Sequence, residues 1–341
     1  MLTSVREPYL QVQHEHVLGM EPRSGFIEVD LRRSEMPRAT FAAGEMGLGP
    51  RHVELWVGTA EREGLILKLG GQMNMPPRLE VDFVFFRRDL EIAKRVQEAS
   101  FPQQPPAIPG LSCATFYKPA HSVGGDYYDF LRLQDGAWGI AIGDVSGKGL
   151  GAALVMAGLQ ASLRAQTLYL RSDLETLFSN LNRLVCESSP VHFFASLFYG
   201  EYQPETRILR YVNAGHNPPI VLRRNDDGCE ILLLKPGSVP VGAFEGTQYT
   251  SETFQLEIRD VLVAYTDGIT ESENCVGDLF GQERLERILC GYPGRDSQEI
   301  LRHILDELSA YSTGCSQRDD IALVVMQVQA RAAISWTCID V

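Results

Sequence analysis

The sequence predicts an α+β protein in which sheets and helices form separate layers. Strand-like runs cluster between residues 193 and 234, and two helical patterns follow one another at 281–290 and 297–309. A β-hairpin is predicted at 127–143, where two apolar runs flank a Gln-Asp-Gly turn. Because strands and helices cluster instead of alternating, these patterns favour a layered sandwich over a parallel Rossmann sheet.

Composition limits the function classes. With 341 residues and 44% hydrophobic content, the chain can form one large and one smaller domain without relying on disulfides. A net charge of −13 argues against nucleic-acid binding. No run approaches the roughly 20 apolar residues of a membrane helix, and the N-terminus lacks a signal-peptide pattern. We therefore expect a cytoplasmic protein without a membrane span.

The seven cysteines are scattered and include no C-x-x-C pair. Neither a zinc site nor a disulfide framework is indicated, and reduced thiols are expected.

Residues 1–80 are predicted to form a small mixed domain with a regulatory or sensory role. Candidate strands lie at 25–31, 52–57 and 65–69, separated by Gly, Pro and charged residues. The His-Glu-His triplet at 14–16 is interpreted as a solvated loop.

A linker helix is predicted at 79–100, followed by a proline-rich connection, so that 81–109 joins the two domains. Phe86, Leu90, Ala93 and Gln97 fall along one helical face. This stripe either packs on the chain's own body or pairs with the same helix, 84–100, of a second chain to form a homodimer.

The third segment, 110–330, carries the hairpin and most of the predicted elements, and 331–341 is a tail. Helices are predicted at 151–166 and 173–186 and a final strand at 321–328. The strand-like runs at 193–202, 207–213, 219–224 and 230–234 are predicted to form an antiparallel meander.

Two aspartates mark the open end of the hairpin. Asp126 precedes its first strand and Asp144 follows its second. Antiparallel neighbours lie about 5 Å apart, so the two carboxylates could share one cation. The alternative is that each aspartate is only a turn residue.

A second pair of aspartates flanks two later strands. Asp267 follows the apolar run at 260–266, and Asp319 precedes the run at 321–328. If those strands are antiparallel, both acids lie at one end of the sheet. The sequence by itself does not join this pair to the first.

The motifs around these aspartates resemble those of the metal-dependent protein phosphatases (PPM, or phosphatase 2C-like), in the bacterial branch that includes the stage II sporulation phosphatase and RsbU. The similar segments follow the family's order: I-A-K-R-V-Q-E-A, P-A-H-S-V-G-G-D-Y-Y-D, G-D-V-S-G-K-G-L-G-A-A-L, N-A-G-H-N-P-P, V-A-Y-T-D-G-I-T-E and R-D-D-I-A. The resemblance implies a four-layer α-β-β-α sandwich of two mostly antiparallel sheets in 110–330, preceded by the linker helix and the small domain.

The resemblance also implies a centre of two Mn²⁺ or Mg²⁺ ions. Asp126, Asp144, Asp267 and Asp319 would hold them, with the backbone carbonyl of Val145 as a further ligand. Asp320 is the alternative to Asp319 as the last ligand. Both metals favour oxygen ligands, and the ions would activate a water for attack on phosphorus.

The chain departs from many eukaryotic members of the family in two respects. Where they carry a histidine after the second aspartate, this chain reads Asp144-Val145-Ser146, so the general acid is unassigned. In place of their phosphate-binding arginine, the nearest upstream cation is Lys118, which is either a phosphate contact or a surface lysine. His216 is expected to brace a loop.

The function implied is that of a protein serine/threonine phosphatase in a sigma-factor pathway. Its expected substrate is a phosphorylated anti-anti-sigma protein with a STAS domain. The alternative is a pseudophosphatase that binds a phosphoprotein without turnover.

Overall fold

The computed structural model describes residues 38–40, 54–59, 65–70 and 77–330, apart from 171–172, 191–192, 226–227, 236, 293 and 295. The chain divides into two compact units, Met1–Arg87 and Arg88–Val341. In the first unit, β1 (Arg38–Thr40), β2 (Glu54–Thr59) and β3 (Leu65–Gly70) form an antiparallel sheet in that order. The strands predicted at 52–57 and 65–69 are thus confirmed, whereas 25–31 and 14–16 lie outside the described residues.

Helix α1 (Pro77–Ser100) confirms the helix predicted at 79–100 and ends just before the proline-rich segment. No helix in the described part of the chain is long and apolar enough to cross a membrane.

The second unit contains two five-stranded sheets. The first has the order β10-β9-β12-β13-β4 and the second the order β11-β8-β7-β6-β5, with antiparallel pairing throughout. The strands are β4 (Leu111–Lys118), β5 (Tyr127–Arg132), β6 (Trp138–Val145), β7 (Ala195–Gln203), β8 (Ile208–Ala214), β9 (Ile220–Asn225), β10 (Gly228–Leu233), β11 (Glu252–Gln255), β12 (Val261–Tyr265) and β13 (Ile321–Val328). The helices are α2 (Leu150–Ala165), α3 (Leu174–Ser188), α4 (Asp267–Thr270), α5 (Gln282–Gly291) and α6 (Ser297–Tyr311).

Alternating side chains of β13 show how the layers stack. Val324 belongs to a core that it shares with strands of the second sheet and with α2 and α3. Its neighbour Val325 belongs to a separate core that it shares with α5 and α6. Because successive side chains of a strand point to opposite faces, this sheet lies between the other sheet and a helical layer. The predicted four-layer α-β-β-α sandwich is confirmed.

The predicted meander is wrong. Strand β8 pairs with β7 in one sheet, whereas β9 pairs with β10 and β12 in the other. The chain changes sheets in the loop between β8 and β9, where Pro218 and Pro219 lack the N–H groups that continued pairing would need. The four runs therefore form two hairpins in different layers.

The expectation of reduced thiols is wrong for one pair. Cys229 on β10 and Cys290 on α5 form a disulfide with an S–S distance of 2.02 Å. They are 61 residues apart in sequence, so only the packing of α5 against β10 brings them together.

Candidate functional site

The hairpin brings its two aspartates together as predicted. Tyr127 pairs with Gly143 at the open end, so Asp126 and Asp144 are the next residues on the two strands. Asp144 also lies opposite Ser196 on β7. The first half of the site is therefore local in sequence and fixed by antiparallel pairing.

The second pair lies at the corresponding end of the other sheet. Strands β12 and β13 are antiparallel, and Tyr265 pairs with Leu323, which puts Asp267 and Asp319 just beyond the same end. The antiparallel pairing that would place both acids at one end of the sheet is therefore present.

Thr266 joins the two halves of the site. Its hydroxyl donates to Asp126 Oδ2 over 2.6 Å and accepts from the backbone N–H of Ala322 over 2.8 Å. Thr266 is fully buried. Its two hydrogen bonds connect the end of β12 and the start of β13 to Asp126, which precedes β5 of the other sheet. Sequence reasoning missed this residue, although it stands beside Asp267 in the Y-T-D-G motif.

Three carboxyl groups of the site hold protons more tightly than usual. Burial, and then the charge of Asp144, raise the pKa of Asp126 well above its ordinary value of 3.8; only 1% of Asp126 is exposed. Burial and the charges of Asp267 and Asp319 raise the pKa of Asp144 to about 7. Burial, Asp319 and Glu271 raise the pKa of Asp267 to about 6. A bound cation would relieve the repulsion between these partly buried carboxylates.

Asp319 and Asp320 have different surroundings. Asp319 Oδ2 accepts a hydrogen bond from Lys148 Nζ over 2.8 Å, in a partly exposed ion pair. Asp320 is 3% exposed, and its two carboxylate oxygens accept from the backbone N–H groups of Ala120 and Gly125, both over 2.7 Å. Asp320 therefore fixes the loop that leads into Asp126.

The same loop requires glycine. A Cβ added to Gly124 would lie 2.4 Å from Asp320 Oδ2, and one added to Gly125 would lie 2.8 Å from the carbonyl oxygen of Val145. Both distances are too short for a side chain.

Helix α1 contacts this loop through Gln97. The Gln97 side chain donates to the carbonyl of Gly124 over 2.7 Å and accepts from the Gly124 N–H over 3.0 Å. Gln97 is buried, while Leu90 and Ala93 are partly buried. The only sequence signal was a glutamine at the end of an apolar stripe.

His216 lies buried beside the site. Its Nδ1 is 2.7 Å from Ser196 Oγ, and its backbone N–H donates to Asn213 Oδ1 over 2.8 Å. Burial lowers the pKa of His216 to about 3, so the imidazole is neutral at pH 7. These contacts agree with the bracing role expected of His216.

Lys118 ends β4, opposite Ile321, with its side chain exposed. The cation that contacts a carboxylate of the site is instead Lys148. Sequence reasoning gave Lys148 no role.

Residues 134–329 match the protein-family model described as stage II sporulation protein E (SpoIIE). The match covers more than half of the chain. The chain belongs to the SpoIIE family. The resemblance inferred from the motifs is thereby confirmed.

Two curated relatives of this SpoIIE-family chain are Protein IcfG of Synechocystis sp. and phosphoserine phosphatase RsbU of Bacillus subtilis. IcfG is 29% identical over 267 residues, 70% of this chain and 41% of IcfG. RsbU is 28% identical over 243 residues, 71% of this chain and 70% of RsbU. The chain thus spans less than half the length of IcfG and about two thirds of RsbU.

The fold is also that of a solved phosphatase domain. The SiaA-PP2C domain of Pseudomonas aeruginosa superposes with a TM-score of 0.63 over 74% of this chain and 99% of that domain, at 19% identity. At this identity the likeness concerns the fold alone, a PP2C-type sandwich.

The acids of this SpoIIE-family site suit a hard divalent cation. Their donor atoms are carboxylate oxygens, the ligands that Mg²⁺ and Mn²⁺ prefer. Burial first, and then repulsion between the acids, raise the pKa values of Asp126, Asp144 and Asp267, and a bound cation would counter both effects. Among the described residues, no three acidic, histidine or cysteine side chains are close enough together to form a metal site without rearrangement. The residues fit the metal by the chemistry of their donor atoms and lie at one end of the sandwich, while the Asp319 carboxylate is paired with Lys148.

Proposed function

We propose that this chain is a metal-dependent protein serine/threonine phosphatase. The observation that carries the proposal is the gathering of Asp126, Asp144, Asp267 and Asp319 at one end of the sandwich, where burial and mutual repulsion raise the pKa of the first three. Family membership and similarity to the phosphoserine phosphatase RsbU support it.

In this proposal the four aspartates, with the carbonyl of Val145, hold two Mn²⁺ or Mg²⁺ ions. When bound, the ions supply an activated water and neutralise charge on the phosphoryl oxygens. Asp320 is assigned a supporting role in preference to a ligand role, because both its oxygens accept backbone hydrogen bonds.

The chain's other residues set up the site. Thr266 orients Asp126 through its hydroxyl, and Gln97 and Asp320 hold the loop before Asp126 in place. His216 is not assigned as the proton donor, because it is buried and faces Ser196. Lys118 and Lys148 are the candidate contacts for the substrate phosphate.

The experiment is Mn²⁺-dependent hydrolysis of p-nitrophenyl phosphate by the wild type and by Asp144→Asn. We expect turnover that requires Mn²⁺ and falls by about 100-fold or more in the variant. The reason is that Asp144→Asn removes a proposed ligand of the metal that activates the attacking water. Equal rates would disprove the metal mechanism. Phosphopeptide binding without turnover in the wild type would favour the pseudophosphatase.

We propose further that the substrate is a phosphorylated STAS-domain anti-anti-sigma protein in the cytoplasm. Similarity to RsbU, over 70% of that protein's length, supports this choice. Residues 1–80 would then regulate the phosphatase unit at 110–330 through the linker at 81–109. A comparison of the phosphoproteins in cells with and without this gene tests the substrate.

A homodimer through helix 84–100 is proposed with a different face from the predicted stripe. Gln97 packs on the chain's own loop, whereas Ile92 and Val96 are 48% and 66% exposed. Replacing both exposed residues with Glu should halve the mass measured by sedimentation. A wild type that sediments as a monomer would disprove the dimer.

A further inference from the structure

Lys148 is the lysine of the G-D-V-S-G-K-G motif and lies against the acidic site. It stands between Gly147 and Gly149, whose φ values of 90° and 70° are conformations that glycine adopts readily. Its Nζ donates to Asp319 Oδ2 over 2.8 Å and to the carbonyl of Arg318 over 2.7 Å. Its charge also lowers the pKa of Asp267, against the larger raising effects there. One ammonium therefore acts on two of the four acids.

The surroundings of Lys148 suit a group that changes partners. Its side chain is 42% exposed, so a substrate can reach it. An ammonium has three N–H donors, and among the described residues two of them have acceptors. If a divalent cation takes Asp319, the lysine loses one acceptor and keeps the Arg318 carbonyl as an anchor.

Resting on the proposed function, we propose that Lys148 binds the phosphoryl group of the substrate, and that it occupies Asp319 in place of a metal ion until the metal binds. Lysine suits both tasks because it is a compact charge on a flexible stem and a common phosphate ligand. The proposal gives this chain a cation for the task that an arginine performs in many eukaryotic members of the wider phosphatase family.

Two other nearby cations fit less well. Arg318 is exposed and paired with Glu273, so its guanidinium is directed to another acid. Lys118 is exposed at the end of β4, and within the described residues no contact joins its ammonium to an acid of the site. Lys148, by contrast, is partly exposed and directly contacts Asp319, a proposed metal ligand.

The test uses the full chain with Lys148→Ala and Lys148→Arg. Arg132→Ala is the control, because it removes one exposed positive charge at the far end of the 127–143 hairpin. Calorimetric titration of metal-depleted protein gives the Mn²⁺ affinity. A second titration, at saturating Mn²⁺, gives the affinity for inorganic phosphate, and the KM for p-nitrophenyl phosphate is measured alongside.

We expect Lys148→Ala to bind phosphate about tenfold or more weakly, the usual effect of losing a charge-assisted hydrogen bond. The same variant should bind Mn²⁺ more tightly than the wild type, because no ammonium competes for Asp319. Lys148→Arg should retain most of the phosphate affinity, and Arg132→Ala should match the wild type in both titrations.

Unchanged phosphate affinity in Lys148→Ala would overturn the phosphate role, as would a wild type that binds no phosphate at saturating Mn²⁺. Weaker Mn²⁺ binding in Lys148→Ala would overturn the proposal that Lys148 and the metal compete for Asp319. It would show that Lys148 only holds Asp319 in position. A wild type without Mn²⁺-dependent hydrolysis would disprove the proposed function instead, while the phosphate titration would still decide the role of Lys148.

Discussion

The hydroxyl of Thr266 donates to Asp126 Oδ2 over 2.6 Å, a contact between residues 140 positions apart. Asp126 directly precedes β5 of one sheet, and Thr266 directly follows β12 of the other. This hydrogen bond is therefore where the two aspartate pairs become a single site, and it lowers the pKa of Asp126 against the larger raising effect of burial.

Replacing Thr266 with Val tests this joint. The change keeps the side-chain shape but removes the donor to Asp126 and the acceptor for the Ala322 N–H. We expect the free energy of unfolding to fall by about 1–3 kcal/mol, as for other buried groups left unsatisfied, and Mn²⁺ affinity to fall with it. Denaturation and calorimetric titration measure the two effects.

Thr115→Val is the matched control, because the Thr115 hydroxyl lies on β4 and makes only a 3.4 Å contact with Tyr128. Equal losses in the two variants would show that Thr266 has no special role.

Metal-depleted protein should lose stability as the pH rises from about 4 to about 7. The pKa values of Asp144 and Asp267 rise on folding from 3.8 to about 7 and about 6. Between the unfolded and folded values, the unfolded chain binds fewer protons than the folded one, so the free energy of unfolding decreases with pH. Thermal melts at successive pH values measure it.

Saturating Mn²⁺ should flatten or reverse that trend, because a bound cation favours the ionised carboxylates. Asp144→Asn should weaken the trend without metal, since one of the responsible groups no longer titrates. A metal-depleted wild type whose melting temperature rises over the same range would contradict the raised pKa values.

Gln97→Ala should destabilise the loop before Asp126. The substitution leaves both the N–H and the carbonyl of Gly124 without their side-chain partner in a buried place. We expect a loss of about 1–3 kcal/mol in the free energy of unfolding, measured by chemical denaturation.

Gln103→Ala serves as its control. Gln103 also makes side-chain hydrogen bonds to backbone carbonyls, but those to Glu98 and Phe101 lie nearer the surface. A loss for Gln97→Ala no larger than for this control would count against the buried contact.

Asp319→Asn and Asp320→Asn should have different effects. In the first, we expect a reduced Mn²⁺ affinity with little change in folding, because the Asp319 side chain is partly exposed. In the second, we expect a loss of stability, because an amide NH₂ would face one of the two backbone donors that Asp320 accepts. Calorimetric titration of both variants measures the Mn²⁺ affinity, and denaturation measures the free energy of unfolding. The reverse pattern would make Asp320 the metal ligand and Asp319 the structural residue.

The sequence by itself determined what depends on neighbouring residues. The hairpin that brings Asp126 to Asp144, the helices flanking it and the final strand at 321–328 follow from apolar periodicity and turn residues. The motifs also sufficed to recognise the family. Strand β4 was not predicted, because its Leu-Ser-Cys-Ala-Thr segment has no regular alternation of apolar and polar residues.

Only the tertiary structure decided which sheet each strand enters and which side chains meet across the sandwich. A strand's pattern shows that it has buried faces but does not name its partner, so β8 and β9 were wrongly joined. The contacts of Thr266 with Asp126, Gln97 with Gly124, and Lys148 with Asp319 span 140, 27 and 171 residues. Hydrogen bonds between distant residues leave no periodic trace in a sequence, because they depend on how the layers pack.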